Sequence, residues 1–357
     1  DGDARRALLT ASLAGFGRAI GEVGAGLQIS PNGFAVLRGL GLDDALRAGA
    51  VQGAAVALHD YRRGPVVRLD LTRLESRDYW FIHRADLIEI LRAGAEAAGV
   101  DIRTGAHVSD PGDCGDDLVI GADGLHSVLR PGLNGPEAPF FTGQVAWRAL
   151  VSNSMDHPNK VTVHMGPGRH IVSYPLRGGS LVNLVMVQER SLWAGEGWSH
   201  RDDPAHVRAA FADFGGLAHV LLNALSEVYL WGLFRHPVAE CWFQDRSVLI
   251  GDAAHPMLPF LAQGANMALE DAWVLSRALH LHGATRQGFQ RYQFLRQARV
   301  KKVVATAQSN ARNYHLSAPL TRWVAHSALR GLGAVAPSAM LKRFDWLYRF
   351  NPDTGLS

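Results

Sequence analysis

The sequence predicts an α/β fold with an inserted, mostly antiparallel sheet and a helical C-terminal tail. Two strand–turn–helix segments, each with an acidic residue at the end of its strand, flank a series of short strands joined by tight turns. Strands that alternate with helices favour parallel sheets, whereas successive strands with tight turns favour antiparallel ones. Beyond the second segment, helical patterns are punctuated by Pro319 and Pro337. A chain of 357 residues can bury such a core as one domain or as two interlocked ones.

Local patterns predict the individual elements. Alternating apolar and polar residues predict a half-buried hairpin at Ala54–Tyr61 and Val66–Leu71. Apolar residues at helical spacing predict a helix from His83 to Ala98, and short apolar runs predict strands at Asp101–Thr104 and Leu118–Gly121. Five strand-like stretches with short connectors predict the inserted sheet: Gln144–Val151, Val161–Met165, His170–Leu176, Leu181–Gln188 and Tyr229–Phe234. Further helices are predicted at Gly33–Leu37, Leu42–Ala48, Asp203–Phe214, Gly264–His282 and Gln287–Tyr314.

The composition is that of an ordinary globular protein, with 47% hydrophobic and 19% charged residues. The 36 Lys and Arg residues are scattered, which argues against a nucleic-acid partner and is compatible with anionic ligands. Cys114 and Cys241 provide neither a disulfide framework nor metal-ligand spacing, so we expect no metal site. With no apolar run near 18 residues and no signal peptide, we expect a cytoplasmic protein without a membrane partner.

The residues from 247 to 272 form the segment around which the chain is organised. An apolar run, Val248–Ile250, stops at Gly251 and Asp252, and after a proline-containing loop a helix begins near Gly264. The Asp252 carboxylate can accept hydrogen bonds from ligand hydroxyls, although it could equally cap a turn. The first N–H groups of the helix suit a negatively charged ligand oxygen. Gly264 lets a flat ligand approach the backbone closely because it has no Cβ.

The string GDAAHPMLPFLAQGANMALEDA, which begins at Gly251, closely resembles the flavin-ribityl segment of the aromatic-ring hydroxylases. These are the single-component flavoprotein monooxygenases typified by para-hydroxybenzoate and salicylate hydroxylases. Three other motifs match the family in the same order: EVGAGLQISPNG at 22–33, HRADL at 83–87 and GADGLHS at 121–127. A tail containing SNARNYHLSAP resembles the salicylate hydroxylase-like branch.

The resemblance implies a Rossmann-like FAD-binding domain with an inserted substrate domain. We expect residues 1–142 to form the first part of the FAD-binding domain, residues 143–240 the substrate domain, and residues 241–357 the second part with the C-terminal helices. The family's chemistry implies FAD as cofactor, NADH or NADPH as co-substrate, and O2 activation through a flavin C4a-hydroperoxide. We therefore expect hydroxylation of a small phenolic or heteroaromatic acid by a monomer or homodimer.

The residues expected to bind FAD are Arg84, Asp123, Gly251, Asp252, Gly264, Ala265 and Asn266. Arg84 lies in the first turn of a predicted helix, which is unfavourable for a cation unless an anion is also there. By the resemblance, this arginine lies against the flavin. Asp123 matches the acid that helps to hold the dinucleotide, and it could also cap the next helix.

The N-terminal dinucleotide fingerprint is missing from this sequence. A Rossmann unit would show GxGxxG, a helix, a second strand and an acid about 20 residues later. Here the chain passes from Gly15-Phe16-Gly17 to Gly21-Glu22, and the resemblance implies that about one helix and one strand are absent. This gap supports an alternative interpretation, in which the chain is a non-catalytic binding module that has lost FAD.

Candidates for catalysis are Pro259, His170 and Tyr174. By the resemblance, Pro259 is the loop residue beside the reacting flavin ring. His170 and Tyr174 are four residues apart on a predicted strand and therefore share a face. His170 could remove a phenolic proton, although a lone histidine in a sheet is often structural. Tyr174 could equally be a pocket wall.

Candidates for substrate contact are Gln263, Phe234 and Arg148. Gln263 precedes the helix and could bind substrate or flavin through its amide, and Phe234 could form a pocket wall. A substrate carboxylate would require an arginine, for which Arg148 and Arg235 are candidates, with a salt bridge as the alternative for each. The same fold could also act on a larger ring, such as a polyketide or a quinone precursor.

Overall fold

The computed structural model describes residues 13–15, 26–110, 112, 118–192, 200–351 and 353–355. Glu22 and Cys114 lie outside the described residues. In the described part, the strands are β1 (Leu13–Gly15), β2 (Gly26–Ile29), β3 (Val51–Gln52), β4 (Ala55–Asp60), β5 (Gly64–Asp70), β6 (Trp80–His83), β7 (Ile102–Thr104), β8 (Val119–Gly121), β9 (Phe140–Ser152), β10 (Lys160–Gly166), β11 (Arg169–Leu176), β12 (Leu181–Glu189), β13 (His200–Asp202), β14 (Val228–Arg235), β15 (Phe243–Gln244) and β16 (Ser247–Leu249). The α-helices are α1 (Pro31–Gly39), α2 (Asp43–Gly49), α3 (Arg84–Ala97), α4 (Arg130–Asn134), α5 (Pro204–Ala210), α6 (Leu217–Asn223), α7 (Gly264–His282), α8 (Arg286–Tyr314), α9 (Pro319–Val335), α10 (Pro337–Lys342) and α11 (Asp345–Tyr348).

The largest sheet has eight strands in the order β13-β14-β9-β12-β11-β10-β4-β5. Its neighbours run antiparallel except β10 and β4, which pair in parallel. The expected antiparallel sheet and its five predicted strands are therefore confirmed. The hairpin β4–β5, however, joins this sheet, although its position in the sequence predicts that it belongs to the first part of the FAD-binding domain. The reason is its parallel pairing with β10, a long-range contact that local patterns do not reveal.

Two short sheets contain parallel pairs, as strand–helix alternation predicts. β1 pairs with β7, and β16 pairs with β8 in a three-stranded sheet that also contains β15. In the described residues these two sheets share no strand. The strand–turn–helix predicted at β8 is present, with a 3-10 turn at Gly124–His126 between β8 and α4.

One face of the eight-stranded sheet is closed by α5 and α6. Trp147, Leu184, Phe211 and Leu221 pack there in a single apolar cluster. Burial of such side chains contributes roughly 25 cal/mol for each Å² of apolar surface. Along β11, Ile171 faces this cluster, whereas His170, Val172 and Tyr174 face the opposite side of the sheet. That opposite side borders a cavity.

The remaining helices cover the cavity and the parallel pair β8–β16. α7 and α8 pack against Val248 and Leu249 of β16 in a second cluster, which includes Met267, Val274 and Tyr292. α9 and α10 pack on β5 at the edge of the large sheet. Among the described residues, no helix combines the length and apolar character needed to cross a membrane.

Candidate active site

A cavity of about 1420 Å³ lies between the large sheet and the loop and helices that follow β16. Its lining includes Asp252, Pro259 and Gly264 from the segment after β16, and His170 and Tyr174 from β11. The His170 ring lies 5.3 Å, centroid to centroid, from the ring of Phe260, the residue after Pro259. The two sequence regions expected to carry the chemistry are therefore in contact.

The carboxylate at the end of β16 faces this cavity. Gly251 has φ +57, a value that favours glycine, and the chain turns there into a 3-10 turn at Gly251–Ala253. Asp252 is exposed to the cavity. Its depth in the protein raises the pKa of the carboxyl group, while the charges of His255 and Arg84 act in the opposite direction. A ligand hydroxyl that donates a hydrogen bond to Asp252 would offset part of this desolvation.

The N-terminus of α7 also opens onto the cavity. A 3-10 turn at Pro259–Leu261 leads to Ala262, which has the left-handed φ of 52. The first intrahelical bond runs from the Met267 N–H to the Gln263 carbonyl, so the N–H groups of residues 264–266 have no intrahelical acceptor. A Cβ placed on Gly264 would meet no heavy atom within 4 Å, which leaves room for a ligand beside the backbone.

A buried ion network holds the Gly251 turn in place. Asp271 of α7 accepts hydrogen bonds from the Gly251 N–H at 3.0 Å, from His255 Nε2 at 2.5 Å and from Arg296 Nε at 2.7 Å. Burial alone would raise the pKa of the Asp271 carboxyl, but the charges of His255 and Arg296 and their hydrogen bonds outweigh it, and the pKa lies below its usual value. Because Arg296 lies on α8, this network ties the turn to both long helices.

A neighbouring network holds the start of α7. Glu270 accepts a hydrogen bond from Asn32 Nδ2 at 2.7 Å and pairs with Arg296 and Arg299. Asn266 accepts from the Ser30 N–H at 3.0 Å. α1 and α7 are therefore joined by polar side chains that are fully or almost fully buried.

Gln263 does not line the cavity, contrary to the prediction that it contacts substrate or flavin. Its Oε1 accepts from Asn32 Nδ2 at 3.0 Å and its Nε2 donates to Ser30 Oγ at 3.0 Å. Since both ends of the amide are already bonded in a buried site, this side chain holds the loop instead. The Asn266 side chain is likewise turned inward, donating to the carbonyls of Gln28 and Ala262, so its backbone N–H is the group oriented for a ligand.

Arg84 and Asp123 both line the cavity, as the sequence predicts. Arg84 begins α3, and His83 caps this helix by accepting a hydrogen bond from the Ala85 N–H at 3.2 Å. Asp123 follows β8 and accepts a hydrogen bond from the Val128 N–H at 2.8 Å. Asp123 does not cap the next helix, since the N-cap of α4 is Leu129, and its bond to Val128 instead holds the loop before α4. Its position at the cavity is compatible with the predicted contact to a ligand.

His170 and Tyr174 lie on the cavity face of β11, as predicted from their spacing. Burial lowers the pKa of His170 well below its usual value, and the neighbouring His315 lowers it further. Burial raises the pKa of Tyr174, so its hydroxyl stays protonated near neutral pH. A Cβ on Gly26 would lie 2.7 Å from the Tyr174 ring, which shows how closely the β2 backbone approaches this side chain.

Arg148 and Phe234 line the same cavity, whereas the alternative arginine, Arg235, does not. The Arg148 guanidinium carbon lies 4.0 Å from the centre of the Trp231 ring, an arrangement that holds the cation against the wall. Arg235 instead stacks over Phe140 at 5.0 Å. Of the two arginines, the structure therefore favours Arg148 for contact with a bound anion.

Several buried residues of the site could not be predicted from the sequence. Asp271 and His255 lie within the matched string, but nothing in the string indicates that they bond to each other. Arg296 lies in a distant helical segment with no motif of its own, and His315 lies within the tail string SNARNYHLSAP, which indicates no role for this residue. In the described residues, no group of three or more His, Cys, Asp or Glu side chains could hold a metal ion.

Comparison with known proteins agrees with this site. Residues 114–307 match a family model described as an FAD binding domain. The chain is 37% identical to 3-amino-4-hydroxybenzoate 2-monooxygenase of Streptomyces cremeus, over 82% of this chain and 79% of that protein. It is 32% identical to 3-hydroxybenzoate 6-hydroxylase of Klebsiella oxytoca, over 94% of this chain and 90% of that protein. A solved salicylate hydroxylase substrate complex shares the fold, with a TM-score of 0.78 at 21% identity over 96% of each chain.

Proposed function

The chain belongs to the FAD-dependent aromatic-ring hydroxylases, and we propose that its substrate is a small phenolic or heteroaromatic acid. It is a monooxygenase that uses FAD together with NADH or NADPH. One observation carries the substrate proposal. A single cavity joins the ligand-binding end of α7 to a buried histidine, His170, and to the arginine of the wall, Arg148.

The residues around the Gly251 turn fit the ribityl chain and ring of FAD. Asp252 offers carboxylate oxygens to hydroxyl groups, and the N–H groups at Gly264, Ala265 and Asn266 offer donors to the flavin oxygen that becomes negative on reduction. Arg84 adds positive charge near this end of the cavity. Bound FAD would accept a hydride from NADH or NADPH and activate O2, and the chain's own side chains would bind and deprotonate the substrate.

His170 is the proposed base for the ring hydroxyl. Removal of the phenolic proton makes the ring more electron-rich and hence more readily hydroxylated. The ring of His170 is buried and its pKa is lowered by burial, so it is neutral near pH 7 and carries a lone pair on one ring nitrogen. Its contact with Phe260 puts it beside the Pro259 turn, where the resemblance places the reacting flavin ring. Tyr174, protonated and four residues further along β11, would be a wall that can donate a hydrogen bond.

Arg148 is proposed to bind the substrate carboxylate. Its guanidinium group is held against Trp231 at the cavity wall, and an arginine in a largely apolar site can bind a carboxylate through two hydrogen bonds. Phe234 and Pro259 would exclude water from the reacting ring. His170 would then contact the ring hydroxyl and Arg148 the carboxylate, so each functional group of a hydroxybenzoate would have one polar partner.

We further infer that this sequence lacks the N-terminal dinucleotide fingerprint. Support comes from the two short sheets with parallel pairs, which share no strand among the described residues. In a complete Rossmann unit, the fingerprint strand would lie in the middle of one continuous sheet.

A larger ring is a second candidate substrate, favoured by the apolar side chains that line one part of the cavity. Small-molecule sites usually measure about 300–1,000 Å³, and this cavity of about 1420 Å³ would hold the flavin ring as well as a substrate. It continues along Val67 and Leu69 of β5 towards Leu332 and Met340. These side chains are apolar, as a fused-ring substrate would require.

The test is NADH and NADPH oxidation by the FAD-loaded chain with a panel of ring compounds. The panel contains salicylate, 3-hydroxybenzoate, 3-amino-4-hydroxybenzoate, 1-hydroxy-2-naphthoate and phenol. We expect one benzoate to raise the oxidation rate about tenfold or more and phenol, which lacks the carboxylate, to have little effect. Faster oxidation with the naphthoate would favour the larger ring. A chain that retains flavin at micromolar FAD but responds to none of these compounds would contradict the proposed substrate class.

A further inference from the structure

Three side chains form a continuous hydrogen-bonded row from the cavity to the protein surface. His170 Nδ1 lies 2.6 Å from His315 Nε2, and His315 Nδ1 lies 2.9 Å from Glu189 Oε1. Both histidines are buried, whereas about half of the Glu189 side chain is exposed. The row therefore begins at the proposed base and ends at a carboxylate in contact with solvent.

Three separate elements bring this row together. His170 lies near the start of β11, Glu189 ends the neighbouring strand β12, and His315 directly follows α8. The turn between β10 and β11 anchors His315, because the Gly168 N–H donates to the His315 carbonyl at 3.2 Å. The Glu189 N–H donates to the Gly168 carbonyl at 2.8 Å, which fixes the carboxylate on the same turn.

The donor and the acceptor in each hydrogen bond of the row can be assigned by starting from the Glu189 carboxylate. An ionised carboxylate can only accept, so His315 must carry a hydrogen on Nδ1. A neutral His315 then has a lone pair on Nε2 and accepts from Nδ1–H of His170. The hydrogen of a neutral His170 is thereby held on Nδ1, and its Nε2 keeps the lone pair that a base requires.

The surroundings keep both rings neutral before a proton is taken up. Burial lowers the pKa of His170 and of His315, and a positive charge on His315 would lower the pKa of His170 further. Glu189 opposes the shift at His315. The Tyr314 ring lies 5.3 Å from the ring of His170, and burial raises the pKa of Tyr314 to about 12, so this neighbour stays neutral.

We propose that His315 and Glu189 are positioning residues that hold His170 in the base form and carry its proton to solvent. The inference rests on the proposed function, in which His170 deprotonates the substrate. The phenolic O–H bond breaks as a bond forms between its proton and His170 Nε2. The Nδ1 proton of His170 then passes to His315 Nε2, and the Nδ1 proton of His315 passes to Glu189 and from there to water. No electrons are transferred, and both rings end neutral with their hydrogens on the opposite nitrogens. The reverse transfer, from water through the row to the product phenolate, restores the starting tautomers.

A purely structural cluster would have the same distances but a different response to substitution. It would need only that buried polar atoms be bonded, a condition that Glu189→Gln also satisfies because the amide oxygen can accept from His315. The relay needs a group that fixes the tautomer and accepts a proton. An amide does neither, since its NH2 group can equally donate to His315 in the other tautomer.

The test compares hydroxylation by FAD-loaded Glu189→Gln, Glu189→Asp, His315→Gln and His170→Gln with that of the unchanged protein. The substrate is whichever of salicylate, 3-hydroxybenzoate and 3-amino-4-hydroxybenzoate reacts fastest. We expect Glu189→Gln and His315→Gln to lower the rate at saturating substrate about 100-fold, the lower end of the range for general acid–base catalysis, with KM and FAD affinity little changed. Glu189→Asp should recover part of the rate. The matched control is Glu227→Gln, because Glu227 is a similarly half-exposed carboxylate that pairs with Arg201 on the surface.

Absorbance of the bound substrate gives a second readout that a structural role would not move. The pH at which the bound phenol ionises should rise in Glu189→Gln and stay unchanged in Glu227→Gln. If His170→Gln keeps full activity, the proposed base is wrong and the relay fails with it. If His170→Gln is impaired while Glu189→Gln matches the unchanged protein in rate and in bound-phenol ionisation, the base stands and the relay is refuted. Because Glu189 is at the surface, this variant decides the question even if His315→Gln fails to fold.

Discussion

The substitution Asp271→Asn tests the buried network that positions the Gly251 turn, the proposed site of flavin binding. One carboxylate oxygen accepts from Arg296 Nε, and the other accepts from His255 Nε2 and the Gly251 N–H. Asparagine has the same shape, and its side-chain oxygen can still accept the hydrogen bond from Arg296 Nε. Its NH2 group then faces the Gly251 N–H, so that two donors meet in a site from which water is excluded.

The expected loss in the free energy of unfolding follows from how deeply each partner of Asp271 is buried. Arg296 and Asp271 are both fully buried, and removing one charge of such a pair costs about 3–5 kcal/mol because the other is left in a medium of low dielectric. The orphaned Gly251 N–H alone would cost about 1–3 kcal/mol, a cost that is part of this range rather than additional to it. Glu270 still pairs with Arg296, which favours the lower end of the range. We therefore expect the free energy of unfolding to fall by about 3 kcal/mol.

Urea unfolding of the FAD-free chain measures this change, and an FAD titration of the same variant measures its effect on the site. Because Gly251 begins the turn that presents Asp252, weaker FAD binding should accompany the lower stability. The control is Glu240→Gln, which removes an exposed carboxylate paired with Lys301 and should change neither quantity appreciably.

The pH dependence provides an independent check. The pKa of Asp271 lies below its unfolded value of 3.8, so its ionised form contributes stability above that pH. That contribution is lost as the pH falls through the folded pKa. The variant should therefore lose less stability than the unchanged protein on acidification below about pH 4. A stability change under about 1 kcal/mol at neutral pH would refute the assigned role of the network.

Three further substitutions probe separate parts of the site and sheet. Gly264→Ala should leave the urea midpoint little changed, since the added Cβ meets no heavy atom within 4 Å, yet weaken FAD binding about tenfold in a fluorescence titration. Unchanged affinity would contradict the placement of the flavin. Arg148→Met should raise KM for a benzoate about 10- to 100-fold in steady-state assays, by loss of a charged hydrogen bond, with a much smaller change in kcat. An equal fall in kcat would contradict a binding role. His164 is buried, and mainly this burial lowers its pKa from 6.5 to about 3. The stability of its neutral form is complete above pH 6.5 and is lost as the pH falls towards 3. Between about pH 7 and pH 4.5, the free energy of unfolding should fall by about 2–3 kcal/mol less in His164→Phe than in the unchanged protein. The same fall in both proteins would contradict this.

Local patterns predicted the elements of the site well. The apolar run before Gly251 and the helical spacing after Gly264 predict β16 and α7, and α7 spans Gly264–His282 as expected. The side-chain period of a strand also predicted that His170 and Tyr174 face the same way. These predictions succeed because each depends on neighbours within a few residues.

Such local patterns do not predict contacts between residues that are far apart in the sequence. The partner of His170 is 145 positions away, and the partners of the Gln263 amide are 231 and 233 positions away. The prediction for Gln263 was wrong for this reason, since its position before α7 is compatible with a ligand contact until Ser30 and Asn32 are seen beside it. The hairpin β4–β5 was likewise predicted as a hairpin but not as the edge of the large sheet.

The most direct measurement is the mass of the product formed from a hydroxybenzoate under 18O2 by the FAD-loaded chain with NADH or NADPH. The proposed function predicts a product that carries one 18O atom and forms in a ratio near one to the nicotinamide oxidised, since a monooxygenase inserts one atom of O2 and reduces the other to water. Flavin binding and nicotinamide oxidation without any labelled product, with all of the O2 recovered as hydrogen peroxide for every substrate of the panel, would contradict it.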